Sequence, residues 1–195
     1  MALTSSLAGW RHRSALALAG LGLASGVLSA SFGLDLEPAW LKPVGRIFFM
    51  DAGPVPIGLA FAAAIGLGLW RHTGNAWAVP VLLVTTMYAW SAALQIAIRL
   101  QRNADDDPHL IAASLAAGAA GAGLTHLGCA LLAPELRRIR AIALTCIAGA
   151  CAGLLLYAGQ RKLIDERLLF VVWQPLVAFC IGCGLSARTE AAIRP

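Results

Sequence analysis

The sequence predicts an all-α, polytopic integral membrane protein, a single domain built as a bundle of about six transmembrane helices joined by short loops. Three observations predict it. The 195 residues are 59% hydrophobic and only 13% charged, against about 25% charged in an average soluble domain. Apolar runs close to the roughly 20 residues needed to cross hydrocarbon recur along the chain. Nearly all the charge is confined to short segments between them. Alanine and glycine dominate the runs, but backbone in hydrocarbon has no water to bond, so helix is the conformation open to them.

The first run, Ser14 to Leu34, follows Arg11-His12-Arg13 and contains Ser29-Ala30-Ser31, the layout of a secretory signal. Its apolar stretch is longer than a usual signal core, so an uncleaved first helix is expected. Gly22-x-x-x-Gly26 within it has the spacing that lets two helix backbones approach closely. The connection that follows carries Trp40, Ile47, Phe48, Phe49 and Met50, which predicts an interfacial segment over about 38–50.

The second run, Val55 to Trp70, is the shortest, and Gly53, Pro54 and Pro56 stop any helix that began near Ile47. Gly/Pro-interrupted apolar segments often flank ligand sites in transporters, which makes Asp51 the best-placed ionisable group for an acid, base or cation contact. In the third run, Trp77 to Ile98, Thr85, Tyr88, Ala92, Gln95 and Arg99 share one side of a helix at about 100° per residue. Polar groups facing lipid are costly, so this stripe is expected to face other helices or a water-filled cavity.

The fourth run, Leu110 to Ala133, holds Gly118-x-x-x-Ala122, Ala119-x-x-x-Gly123 and a histidine, His126, deep in the helix. A bis-histidine haem needs a second histidine at matching depth; none is evident, so a hydrogen-bonded structural histidine is expected. The fifth run, Ala141 to Gln160, places Cys146, Gly149, Gly153, Tyr157 and Gln160 on one face. The sixth, Leu168 to Ala187, carries Gln174 beside Pro175, on a face with Phe170, Ala178, Ile181 and Leu185. Its Cys180-x-x-Cys183 pair points the opposite way. All five cysteines fall in predicted helices and none in a loop. That argues against a disulfide framework or a relayed redox couple, and the thiols read as small apolar fillers. No cofactor and no metal site are expected.

Six crossings put both termini on one side. With that side cytoplasmic, it holds eight basic residues (Arg11, Arg13, Arg71, Arg137, Arg138, Arg140, Arg188, Arg194) against seven outside. The acidic residues are lopsided: Glu135 and Glu190 inside, against Asp35, Glu37, Asp51, Asp105, Asp106, Asp107, Asp165 and Glu166 outside. An inner-membrane protein with cytoplasmic termini is the expectation. The net charge of +5 then reads as arginines facing lipid headgroups, with Arg137-Arg138-x-Arg140 the densest cluster, and not as a nucleic-acid footprint.

Phosphate loops, Ser-His-Asp arrangements and intramembrane carboxylate pairs are absent. Three functions therefore stay open. The leading one is a binding or transport protein for a small amphipathic or lipid-like molecule. Its outward-facing pocket would lie among the third, fifth and sixth helices, lined by Tyr88, Gln95, Tyr157, Gln160 and Gln174, with Asp51 near the mouth. The second is a membrane enzyme using Asp51, with Tyr88 or His126 assisting. The third is a structural or sensory subunit whose glycine seams bind a partner subunit or a second copy of the chain. Membrane lipids are the shared partner in all three, and nucleic acid in none.

Overall fold

A computed structural model describes residues 2–32, 39–102 and 106–186, with side chains for all of these except 2–14. Six helices are long and apolar enough to cross a membrane. They are α1 (Ala2–Phe32), α3 (Val55–Thr73), α4 (Ala78–Gln101), α5 (Asp107–Leu132), α6 (Ile139–Gln160) and α7 (Leu168–Ser186); a short α2 (Lys42–Ile47) lies between the first two. Among the described residues there is no strand. Arg11, His12, Arg13, Asp35, Glu37, Asp105, Arg188, Glu190 and Arg194 fall outside the described side chains.

Local chemistry sets the helix ends, and in several places moves them beyond the limits expected from hydropathy. Asp106 caps α5 by accepting from the His109 backbone N–H, and Pro108 occupies the first turn, where its missing donor costs nothing. The helix therefore begins three residues before the apolar run does. Gly74 ends α3 in the left-handed region, φ 70°, with its N–H returning to the Trp70 carbonyl. That carries the second long helix through Arg71 and His72. Pro54 and Pro56 open the same helix, and α2 stops at Ile47 as the proline–glycine cluster requires.

Each long helix packs against its neighbours in sequence, and α7 returns to α1, closing a ring in the order α1, α3, α4, α5, α6, α7. The most extensive contact is α1 with α7. A Cβ on Gly26 would sit 2.5 Å from the Phe170 carbonyl oxygen, and one on Gly22 2.8 Å from the Gln174 carbonyl oxygen. The α5–α6 contact is built the same way, with Gly118 against Gly149 and Gly153, and Ala122 against Gly149. Both glycine seams expected from spacing are therefore places where backbones touch.

The described residues 39–54, 102, 106 and 161–167, which belong to three connections, lie at one end of the ring. There Arg161 pairs with Asp107 at the start of α5. At the opposite end the turns are tight. There Pro134–Arg137 forms a 3₁₀ turn that inserts Leu136, fully buried, beneath α5, α6 and α7.

Residues 39–50 lie against α4. Leu41 and Met50 are buried with Met87, while Trp40, Ile47 and Phe49 stay exposed. Of the five apolar residues expected along an interface, Met50 turns into the bundle and Phe48 is half-buried against it.

Candidate functional site

The five residues expected to line one pocket occupy different places. Tyr88 is 45% exposed on α4, with its ring edge-on to Phe48 at a centroid distance of 5.0 Å. Gln95, two turns further along the same side, donates from Nε2 to the Phe49 carbonyl at 3.0 Å. Tyr88 and Gln95 of this stripe are therefore seated against Phe48 and Phe49, while Thr85 packs against Gly128 of α5. Tyr157 stands under the Arg161 guanidinium, 6.0 Å from ring centroid to Cζ.

Gln174 is buried and consumed by α1. Its Oε1 accepts from Ser25 Oγ at 2.6 Å, and its Nε2 donates to Ser29 Oγ at 3.0 Å. The face it shares with Phe170, Ala178, Ile181 and Leu185 is buried as a whole, while Cys183 points outward. The helical-wheel direction holds, but the face meets a neighbouring helix.

The catalytic candidates are likewise dispersed. Asp51 is exposed and makes no hydrogen bond or ion pair with any described residue. His126 is fully buried at the tight-turn end, where Nε2 meets the Leu136 carbonyl at 2.9 Å and Nδ1 meets Thr145 Oγ1 at 2.8 Å. Both ring nitrogens are thereby occupied in holding the 134–137 turn to α5 and α6. Among the described residues no group of three or more His, Cys, Asp or Glu side chains comes together to hold a metal ion.

Gln160 leads to a different site. It lines a cavity of about 250 Å³ enclosed by α4, α5, α6 and α7, the third to sixth long helices. Its walls are mainly apolar: Ala93, Ala97 and Ile98 from α4, Ala117 from α5, Leu156 from α6 and Leu169 from α7. Gly118 and Gly153, already fixed by the α5–α6 seam, complete one side.

The inner limit of the cavity is aromatic. Trp173 stacks edge-on with Phe61 at 5.4 Å, and Trp90 with Phe170 at 6.1 Å. The Trp90 Nε1–H is held by the Pro54 carbonyl at 3.0 Å, which fixes that ring's direction. Gly121 leaves room for Trp173, since a Cβ there would come within 3.2 Å of the indole. Gln174 lies on the other side of Trp173, against a separate void of about 10 Å³.

The polar groups of the cavity sit at two depths. Gln101 and Gln160 end their helices, and Glu166 stands just before α7, so all three mark the end where the long connections gather. There Gln160 Nε2 donates to Gln101 Oε1 at 2.7 Å. Ser114 lies two turns inside α5 and is completely buried. Its Oγ has no hydrogen-bond partner among the described residues, and neither does Gln101 Nε2. Buried polar groups are nearly always satisfied, and one left open costs roughly 1–3 kcal/mol. Both atoms belong to residues that line this apolar cavity, whereas Thr85 Oγ1 and Thr86 Oγ1, also without a partner among the described residues, do not.

Ser114, Gln101, Glu166, Trp90 and Trp173 were missed in the sequence. On a helical wheel Ser114 falls in line with Gly118 and Gly121, and so reads as part of a packing seam. Gln101 lies beyond the apolar run, where it reads as a solvated helix end. Only the i, i+3, i+4, i+7 spacing of Leu94, Ala97, Ile98 and Gln101 offered a signal. Comparison of the chain with protein-family models, curated proteins and solved structures finds no match.

Proposed function

We propose that the chain is an integral membrane protein that binds, and through its conformational cycle transports, a small amphipathic or lipid-like molecule held in the cavity between α4, α5, α6 and α7. One observation carries this reading: an apolar cavity of about 250 Å³ whose lining includes Ser114 and Gln101, with Ser114 Oγ and Gln101 Nε2 left without a partner among the described residues. Ligand sites are mostly apolar, with a few placed polar groups that set orientation. At this volume the site accommodates a single chain or ring and is too small for a whole phospholipid, since pockets for drug-sized ligands run from about 300 Å³ upward.

The six long helices are read as membrane-spanning, with the exposed Trp40, Ile47 and Phe49 lodged in the headgroup layer. Arg71, Arg137, Arg138 and Arg140 at the tight-turn end support a cytoplasmic location for that end and an inner-membrane setting. The cavity mouth, ringed by Gln101, Gln160 and Glu166, then opens on the outer side.

Native mass spectrometry of protein extracted in mild detergent tests this. Wild type is expected to carry a small bound mass that Ala97→Phe, whose ring fills the cavity, no longer retains. Identical spectra for a folded Ala97→Phe and wild type would defeat the proposal.

A further inference from the structure

The chemistry of the cavity narrows the ligand further, on the premise that the cavity is a binding site as proposed above. Three observations bear on it: which charges line the space, which hydrogen-bonding roles are still open, and how far apart they lie.

Among the described residues Glu166 is the one charged residue in the lining, and no lysine, arginine or histidine lines it. Around the mouth, Arg161 is engaged by Asp107 and Tyr157, Lys162 lines the adjoining crevice together with Asp165 and Glu166, and Arg102 and Arg167 are exposed and outside the lining. A carboxylate or phosphate drawn into the cavity would give up its hydration with no cation to receive it, which is strongly unfavourable in apolar surroundings. An ammonium head would meet Glu166, but that carboxylate is exposed and hydrated, so an ion pair there gains little. Such a head has no acceptor to offer, so Gln101 Nε2, a donor only, would remain unsatisfied. Gln101 Oε1 already accepts one bond from Gln160, so the group left without any partner is the amide N–H. What the open groups ask for is an uncharged acceptor.

The depth follows from the α5–α6 seam. Gly153 touches the Ser114 carbonyl, which sets those two residues at one level. Gln160 bonds Gln101, which sets a second level at the mouth. Gly153 and Gln160 are seven residues apart on one helix, so the levels differ by about 10 Å at 1.5 Å per residue. A ligand with polarity only at the mouth would leave Ser114 Oγ facing hydrocarbon.

We infer that the ligand is an uncharged, elongated amphiphile with two polar ends, an acceptor such as a hydroxyl or an ester, amide or keto carbonyl held by Gln101 at the mouth, and a second hydroxyl or carbonyl bonded by Ser114 about 10 Å deeper. The apolar middle lies along Ala97, Ala117 and Leu156, and the deep end stops on Trp90 and Trp173.

Equilibrium dialysis of the full chain in lipid nanodiscs, with empty nanodiscs subtracted, tests this using four probes: 1,8-octanediol, 1-octanol, octanoate and octylammonium. The diol is expected to bind saturably and at least tenfold more tightly than octanoate or octylammonium. Ser114→Ala, a change of one buried atom, should weaken the diol by about fivefold, the worth of one hydrogen bond, and leave 1-octanol unchanged. Equal or tighter binding of octanoate or octylammonium overturns the inference while leaving a cavity ligand intact. So does a diol affinity indifferent to Ser114→Ala. Should no probe show a saturable component that Ala97→Phe removes, both the inference and the proposed function fail. If Ala97→Phe does not fold, as judged by circular dichroism, Ala93→Leu one turn deeper serves as the blocking variant.

Discussion

Adding a single methyl group to α1 should either weaken or strengthen the protein, depending on which glycine receives it. At Gly26 the new Cβ would stand 2.5 Å from the Phe170 carbonyl oxygen and 3.1 Å from Val171 Cα, all backbone atoms of α7 that cannot rotate away. Ordinary contact begins near 3.4 Å, so the two helices must separate by about 0.9 Å. A gap of roughly 0.5–1 Å forfeits a quarter to a half of the dispersion energy of each atom pair it opens. The α1–α7 contact is the largest in the ring. Overpacking of this kind costs about 1–3 kcal/mol. At Gly20 a Cβ meets nothing within 4 Å, and Gly20→Ala should gain the ordinary helix advantage of alanine, about 0.5–1 kcal/mol. Titrating mixed micelles with sodium dodecyl sulfate while following helicity by circular dichroism gives the midpoint for each variant. Gly26→Ala is expected to unfold earlier than wild type and Gly20→Ala slightly later. Coincident midpoints for the two, or a stabilised Gly26→Ala, would mean that α1 and α7 do not meet along this seam.

Gln174→Leu removes both bonds to Ser25 and Ser29 and should cost about 1 kcal/mol in the same assay, in line with hydrogen bonds between membrane helices. Adding Ser25→Ala and Ser29→Ala to it should return part of that loss, because the orphaned hydroxyls go too. His126→Ala opens a hole in the most buried part of the tight-turn end and strands the Leu136 carbonyl. A loss of about 3 kcal/mol is expected, with faster proteolysis at 134–138 as the specific readout. At the other end, the hydrogen bond from His109 holds the Asp106 carboxyl below its ordinary value of 3.8. A carboxyl depressed in the folded state stabilises it above the unfolded pKa, and that contribution is lost as pH falls through the folded value. The α5 start should therefore survive to below pH 3.8 in wild type, and His109→Ala should bring Asp106 back toward that ordinary value, as read by carboxyl chemical shifts in a titration.

How much could be read from the chain differs from helix to helix. The limits of α6 and α7 matched the apolar runs to within two residues, because loop charges flank them directly. Those of α4 and α5 were longer than expected. A run of hydropathy ends at Ile98 and restarts at Leu110, while the backbone ends where bonding and capping end, at Gln101 and at Asp106. The glycine seams were legible because only a residue without Cβ permits such approach, and the direction of Gln174 because a helical wheel fixes it. Its partner was not legible, nor was the seat of Tyr88 and Gln95 against 48–50.

The amino-acid sequence by itself determined that there are six long apolar helices, where each roughly lies, which faces carry small or polar residues, and that charge gathers in the connections. Tertiary structure alone decided what each face meets. The physical reason is that in so apolar a chain the outward side and the buried side of a helix have nearly the same composition. A serine such as Ser114 therefore looks alike whether it closes a seam or faces a cavity. Only closure of the ring, with α7 seated on α1 and Trp173 drawn under Gly121, leaves the space between α4, α5, α6 and α7 that gives Ser114 and Gln101 their meaning.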